Sequence, residues 1–473
     1  MTILRRFGAL ALTGLLCLPA LPSRAETLTD ALILAYRHSG LLEKNRAVLR
    51  AADEDVAQAI ATLRPIISYT ASAARQYQFP NDGTSESISP LIPGQRNSDD
   101  SFNSASFSIS ADLLLWDGRQ TALAVDAARE LVLVTREALT AVEQQILWDA
   151  AQAYLGVLDA QAFVELRQSN LQLLSRELQA ARDRFEVGEV TRTDVAVAEA
   201  ALASARSLLA TSQGDLDLAR AQYVEAVGQP PGNLAPTSAL PQTAATLEAA
   251  QAIARQTHPT IRRDMRSITV AELNVERAER AVKPTIRARS SFTIGQDFEE
   301  TGSIGLEMSG PIYRGGEITS IYRQAIANRD ETRADLHITV DDVLLQVAQA
   351  WAQLAVSRAR IDASQLEVRA AQVAFRGLQE EATLGARTTL DVLDAEQNLS
   401  DARANLISAQ TSEVLASFQL LVAMGLMTVE HLNLGIVTYD PSVYYNAVRN
   451  APSRKVSPRG EKMDSLLRAL GKN

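Results

Sequence analysis

The sequence has little of what catalysis, metal binding or disulfide bonding requires. Its 473 residues contain one cysteine, Cys17, and four histidines with no spacing that suits a metal ion, namely His38, His258, His337 and His431. A single cysteine excludes an internal disulfide, and neither a phosphate-binding loop nor a nucleophile elbow is present. We therefore expect a protein that is not an enzyme and that needs no cofactor and no metal.

Long apolar runs and aromatic residues are also scarce. Aromatics make up 5% of the residues, and no run of 18 apolar residues occurs beyond the first 25 positions. The second absence argues against a protein with membrane-spanning helices, whereas abundant alanine and leucine favour long helices. The formal net charge of −10 argues against nucleic acid as a partner.

The N-terminus has the pattern of a secretory signal peptide. Two arginines precede the apolar stretch Phe7–Leu21, and Ser23–Ala25 fits a small-x-small cleavage site. Cys17 follows a leucine, where a lipoprotein signal needs a small residue, so we expect no lipid anchor. We predict a cleaved signal over residues 1–25 and an exported mature chain that starts at Glu26 and has no cysteine.

The rest of the chain repeats one plan twice. Gly40–Pro65 parallels Pro259–Pro284, and Val187–Ala200 parallels Leu384–Gln397 at an offset of 197 residues. Between Pro65 and Trp116 the first copy has a longer loop, rich in proline and glycine. We predict a first repeat over 26–228, a proline-rich linker over 229–243, a second repeat over 244–438 and a C-terminal tail over 439–473.

Each copy contains two segments in which apolar and polar residues alternate. The alternating segments are Ile67–Ser72, Ser106–Leu115, Ile286–Ile294 and Ile304–Ser309. A period of two predicts strands with one apolar and one polar face. Lengths of roughly ten residues suit the strands of a transmembrane barrel.

Each copy also contains a helix far longer than those of globular proteins. No proline interrupts Arg119–Phe185 or Glu317–Thr383, and 67 helical residues would extend for ~100 Å. Apolar and small residues recur in steps of three and four from Val340 to Ala382, and nearly as regularly from Ile146 to Phe185. This spacing predicts coiled-coil packing.

Four strands per chain are too few to close a barrel, and an open sheet edge in lipid leaves backbone groups unpaired. Three chains would supply twelve strands and enclose a water-filled lumen. We therefore predict a mostly helical fold with a small barrel part. Each chain would add four strands to a trimeric 12-stranded transmembrane β-barrel, and its helices would extend the barrel as a coiled-coil tunnel. The longer loop of the first copy would then be extracellular.

The plan resembles the TolC family of outer-membrane efflux and type I secretion channels. The specific markers are LGARTTLDVLDAEQ at Leu384–Gln397 and VGEVTRTDVAVAEA at Val187–Ala200, each joining two long helices. The resemblance implies a homotrimer in the outer membrane whose helical tunnel lies in the periplasm. It also implies a periplasmic adaptor protein and an inner-membrane transporter of the ABC, RND or MFS class as partners.

The resemblance also implies roles for individual residues. Asp391 and Asp394 match acids that ring the pore constriction, and Arg387 matches an arginine that holds the entrance shut. The expected latch partners of Arg387 are Thr193 and Asp194. The expected adaptor contacts are Val187, Gly188, Glu189, Leu384, Gly385 and Ala386. At Ala382 the best-known family member has a tyrosine that helps the latch, so this chain lacks that contact.

Other interpretations remain open from the sequence. The two aspartates also suit a solvated helix start, Arg387 an exposed turn, and the two glycines the C-caps of helices. A non-conducting coiled-coil scaffold of the cell envelope is the main alternative function, and an enzyme on a helical bundle is a second. The alternating strands favour a channel over a scaffold, but the sequence does not identify the cargo.

Overall fold

A computed structural model of the chain describes residues 25–77, 101–237 and 240–449. The predicted signal peptide up to residue 24, the longer loop of the first copy and the tail beyond residue 449 lie outside the described residues. The same order of elements, two helices, two strands and two long helices, occurs twice. The first set is α1 (Leu28–His38), α2 (Gly40–Ala61), β1 (Ile66–Tyr77), β2 (Ser101–Trp116), α3 (Gln120–Glu186) and α4 (Arg192–Val227). The second is α5 (Leu247–Thr257), α6 (Pro259–Glu279), β3 (Thr285–Gly295), β4 (Glu300–Ser309), α7 (Glu317–Thr383) and α8 (Thr389–Ala423), followed by α9 (Pro441–Val448).

The four predicted strands form one antiparallel sheet in the order β1-β2-β3-β4. The first hairpin pairs from Ile66 with Asp112 to Tyr77 with Ser101, further than the alternating segments predicted. Alternation fades beyond Ser72, but the backbone ladder continues because pairing does not require an apolar face. A bulge between Leu114 and Trp116 shifts the register at the end of β2.

The two long helices are confirmed at 67 residues each, and α7 has the predicted bounds. The residues spaced by three and four form the predicted coiled-coil seam, and in α7 this seam is largely buried. Almost no surface is exposed at Val343, Val347, Ala350, Leu354 and Ser357. Phe185 is the exception in α3, since 45% of it is exposed where the helix ends. By length and composition, α8 is the one helix within the described ranges that could cross a membrane; Val392 and Leu399, in its N-terminal half, lie in a buried core.

Residue contacts divide the chain into two compact units, and each contains parts of both repeats. The first unit draws its described residues from Met1–Ser39, Ile146–Gln242 and Gln353–Phe418. One of its cores joins α3 and α4 through Leu174, Leu178, Ala198 and Leu202, to which Leu393 of α8 is added. A second core joins α7 and α8 around Phe375.

The first residue of the predicted mature chain is firmly held inside this first unit. The Glu26 carboxylate accepts hydrogen bonds from the Tyr223 hydroxyl at 2.6 Å and from the Gly232 amide at 3.1 Å. Its carbonyl accepts from the Tyr154 hydroxyl at 2.9 Å and from the Ala235 amide at 2.8 Å. Glu26 thereby ties the segment between the repeats to α3 and α4.

The second unit draws its described residues from Gly40–Gln145, Thr243–Ala352 and Gln419–Asn473. Its core includes Leu49, Val56 and Val132, against which Tyr439 and Tyr445 pack. The Tyr444 hydroxyl donates a hydrogen bond to Glu54 at 2.9 Å. The start of the C-terminal tail therefore docks on α2 and α3.

Candidate functional site

The turn between α3 and α4 is fixed by backbone hydrogen bonds and a glycine. Gly188 has φ +81°, which only glycine adopts without strain. Its amide bonds the Phe185 carbonyl at 3.0 Å, and the Glu189 amide bonds the Arg184 carbonyl at 2.9 Å. This pair of bonds is a Schellman motif, which satisfies the last carbonyls of α3.

The turn between α7 and α8 repeats this geometry 197 residues later. Gly385 has φ +75°, its amide bonds the Ala382 carbonyl at 3.1 Å, and the Ala386 amide bonds the Glu381 carbonyl at 2.9 Å. The prediction that the two glycines are C-caps with positive φ is confirmed.

Each turn then starts the next helix with the same capping box. In α4 the Thr191 amide donates to the Asp194 carboxylate at 2.8 Å, and the Asp194 amide donates to the Thr191 hydroxyl at 3.3 Å. In α8 the Thr388 amide donates to Asp391 at 3.0 Å, and the Asp391 amide returns a bond of 3.3 Å. Each box supplies side-chain acceptors for two backbone donors at the start of its helix.

The capping box accounts for Asp391 but not for Asp394. Hydrogen bonds from the backbone and side chain of Thr388 hold the pKa of Asp391 below its usual range, so its carboxylate is ionised at neutral pH. Asp394 lies one turn further along α8 and is exposed. The first repeat has Val197 at the equivalent position, and its capping box forms all the same. The capping box of α8 therefore does not require an acid at residue 394.

Arg387 forms an ion pair within its own turn. Its Nε donates to the Glu381 carboxylate at 2.9 Å, with both side chains about half exposed. This hydrogen bond raises the pKa of Arg387. In the described chain the Asp194 carboxylate is bonded to Thr191, and Thr193 is exposed. These bonds do not test a contact between Arg387 and Thr193 or Asp194. The latch therefore stays a prediction.

The tips of both turns expose apolar side chains. Val187 is 72% exposed and Leu384 is 84% exposed, and the other predicted adaptor contacts, Gly188, Glu189, Gly385 and Ala386, are exposed beside them. Ala382 instead packs against the core around Phe375, and its methyl group offers no hydroxyl for a latch contact.

Comparison with known proteins decides the class of this molecule. A family model described as outer membrane efflux protein matches residues 34–229 and 252–426. The chain belongs to the outer membrane efflux protein family. The two matched stretches correspond to the two sets of elements, although the exact predicted domain boundaries stay predictions.

Several relatives of this family member carry names that describe export. It is 34% identical over 433 residues to the outer membrane efflux protein BepC of Brucella suis biovar 1, covering 90% of this chain and 91% of that protein. It is 25% identical over 317 residues to the alkaline protease secretion protein AprF of Pseudomonas aeruginosa, covering 64% of this chain and 66% of that protein. It is also 24% identical over 316 residues to outer membrane protein TolC of Escherichia coli, with 61% and 63% covered.

Solved structures show the same fold. CusC superimposes with a TM-score of 0.73 at 18% identity, covering 85% of this chain and 92% of CusC. VceC of Vibrio cholerae superimposes with a TM-score of 0.69 at 20% identity, covering 84% and 96%. The predictions of a TolC-type fold, an efflux function and an outer-membrane location are confirmed, and the relatives are channel proteins rather than enzymes.

Sequence reasoning missed a buried polar group next to the acidic tip. Glu396 lies in the core of the first unit, where Asn170 of α3 donates a hydrogen bond to it, and burial raises its pKa to about 7. Arg167 donates to Ser400 at 3.1 Å one turn along. The signal was available, because Glu396 follows Val392 by four residues and precedes Leu399 by three, which places an acid in an apolar seam.

Proposed function

We propose that three copies of this chain assemble into a channel-tunnel that conducts substrates from the periplasm or from an inner-membrane pump to the exterior. The observation that carries the proposal is the open sheet. In the described chain β1 pairs with β2 alone and β4 with β3 alone, so both outer strands have a free edge. Such edges cannot remain unpaired in an outer membrane. If β4 of one copy pairs with β1 of the next, three copies close twelve strands into one barrel.

The partners follow from the same proposal. A passive duct needs an energy source, which we assign to an inner-membrane ABC, RND or MFS transporter joined by a periplasmic adaptor. The names of the relatives support two kinds of cargo, a secreted protease and pyoverdine. AprF is named as an alkaline protease secretion protein, and OpmQ of Pseudomonas putida as a pyoverdine export outer membrane protein. The exposed apolar tips at Val187 and Leu384, with their neighbouring turn residues, suit the adaptor contact.

The oligomer and its conductance are tested together. We expect the purified protein to have the mass of a trimer in detergent by light scattering, and to form ion-conducting pores in a planar bilayer. A monodisperse monomer that conducts would contradict the shared barrel. A trimer that never conducts would favour the envelope scaffold instead.

We also propose that Arg387 holds the periplasmic entrance closed. Arg387→Glu and Asp194→Asn should each raise the resting conductance of the trimer, and the asparagine keeps the acceptor that caps α4. The effect should be modest for each chain, because an exposed ion pair contributes only ~0–1 kcal/mol.

Glu381→Gln separates two routes for this latch. If Arg387 acts only by stiffening its own turn, removing its partner Glu381 should raise conductance as much as Arg387→Glu does. If Arg387 reaches Thr193 and Asp194 of a neighbouring copy, Glu381→Gln should leave the resting conductance low. Unchanged conductance in both Arg387→Glu and Asp194→Asn would place the latch elsewhere.

A further inference from the structure

The two faces of the sheet differ in chemistry except near the hairpin ends, where Arg75 and Glu300 fall on the otherwise apolar face. One face carries large apolar side chains, among them Tyr69, Ile109, Phe292, Ile304 and Leu306. Residues directly opposite each other in the register share a face. In an outer-membrane barrel the apolar face contacts lipid, and the other face lines the lumen.

The polar face carries rungs of uncharged hydroxyl groups. One rung consists of the paired residues Ser68, Ser110, Ser291 and Ser303, and the next of Thr70, Ser108, Thr293 and Thr301. The hydroxyls bond across strands, with Ser68 and Ser110 at 2.8 Å, Ser291 and Ser303 at 2.8 Å, and Thr293 donating to Ser108 at 3.0 Å. Because none of these side chains is ionised, the two rungs neither attract nor repel an ion by net charge.

Among the described strand residues, the polar face carries charges only where the strands approach the helices. Asp112 pairs in register with Ile66, the first residue of β1, and with Arg289, while Arg287 pairs with Glu307 near the end of β4. Arg287 donates to Asp112 at 2.8 Å, and Arg289 donates to Asp112 at 3.0 Å and to Glu307 at 2.5 Å. Two cations and two anions therefore form one connected quartet, and Asp112 holds both arginines.

We propose that Asp112, Arg287, Arg289 and Glu307 form a charge-balanced ring in the barrel lumen, and that this ring makes the barrel indifferent to the sign of a permeating ion. The inference rests on the proposed function, since it requires the polar face to line a pore. All four side chains keep solvent-exposed surface in the single chain. The selectivity of the whole duct is then left to residues of the helical part.

Asp112 is the residue on which the balance depends. Each of its two carboxylate oxygens is bonded to a different arginine. Its neutralisation leaves Arg289 with Glu307 and leaves the Arg287 guanidinium without an anionic partner in the quartet, and the planar fork of a guanidinium suits phosphate and sulfate. Over three chains, Asp112→Asn would leave three uncompensated positive charges in one ring. Arg287→Gln together with Arg289→Gln would leave six uncompensated negative charges.

The test is the anion-to-cation permeability ratio of single pores in a potassium chloride gradient. At 0.1 M salt, where the Debye length is ~10 Å, we expect Asp112→Asn to raise this ratio at least about two-fold and the double arginine variant to lower it. Asp112→Asn combined with Arg289→Gln restores the balance and should return the ratio to the parental value. Inorganic tripolyphosphate should block Asp112→Asn pores more strongly than parental pores.

Glu300→Gln is the matched control, because Glu300 lies on the same strand as Glu307 but on the apolar face and pairs with Ile294. It removes the same charge and should leave the ratio unchanged. If neither Asp112→Asn nor the double arginine variant shifts the ratio in pores of parental conductance, the proposed charge-balanced ring is wrong. The proposed channel function is unaffected by that result. If Glu300→Gln shifts it as much as Glu307→Gln, the assignment of the faces is wrong. If parental trimers do not conduct, the proposed function fails and the ring falls with it.

Discussion

Gly425→Ala should strongly reduce the yield of folded protein. Gly425 has φ +75°, and an added Cβ would lie 2.6 Å from the His258 Cα and 2.9 Å from the Thr257 carbonyl oxygen. These are backbone atoms at the junction of α5 and α6, where the Thr257 hydroxyl also donates to the Met424 carbonyl at 2.6 Å. The left-handed conformation costs ~1–2 kcal/mol for alanine, and overpacking adds ~1–3 kcal/mol.

Gly385→Ala is the control for this prediction, since Gly385 has the same φ and occupies the same helix-ending motif, but no atom lies within 4 Å of its added Cβ. We expect the control to cost only the conformational strain of ~1–2 kcal/mol. The measurement is the amount of protein in isolated outer membranes and the urea midpoint of unfolding in detergent. Equal loss in the two variants would show that close backbone packing at His258 contributes nothing beyond the turn conformation.

Replacing both Asp391 and Asp394 with asparagine should abolish much of the cation preference of the pore. In a trimer these residues would place six carboxylates at the periplasmic constriction, which concentrates cations. A trivalent cation added on the periplasmic side should block the parental pore, and the block should weaken by about ten-fold or more in the double variant. Salt should weaken the block less than it weakens an exposed surface contact, because the site is enclosed.

The pH dependence of that block depends on two opposed effects. Hydrogen bonds from Thr388 lower the pKa of Asp391, whereas crowding of like charges in the assembled ring raises it. The charge on Asp391 is lost as pH falls through its folded pKa, so the block should weaken only under acidic conditions.

Glu186→Gln is the matched control, because it removes an exposed acid beside the turn of the first repeat that belongs neither to the proposed ring nor to the proposed latch. Asparagine at 391 retains an oxygen that can accept the threonine bond. A double variant with the parental cation preference and the parental block would show that Asp391 and Asp394 only start a helix, and that other acids form the ring.

The parts of this structure that the sequence predicted best are those in which one pattern continues over many residues. The ends of α7 were predicted to the residue from an uninterrupted segment that matches the first copy in length, and alternation located all four strands. Contacts that depend on one turn or on a distant helix were not predictable. The pair between Arg387 and Glu381 spans six residues because the chain reverses at Gly385. The partner of Glu396 is 226 residues away in sequence, at Asn170.

The paired turns also bear on the symmetry of any assembly built from this chain. The backbones around Gly188 and Gly385 are alike, but Arg387 and Glu381 of the second repeat are replaced by Val190 and Arg184 in the first. A ring of three copies would therefore present six turns with the same backbone shape. These turns would alternate between two different arrangements of charged side chains. A partner with six identical arms would meet unequal neighbours and bind at two affinities, whereas a partner with three arms could select one kind of turn throughout.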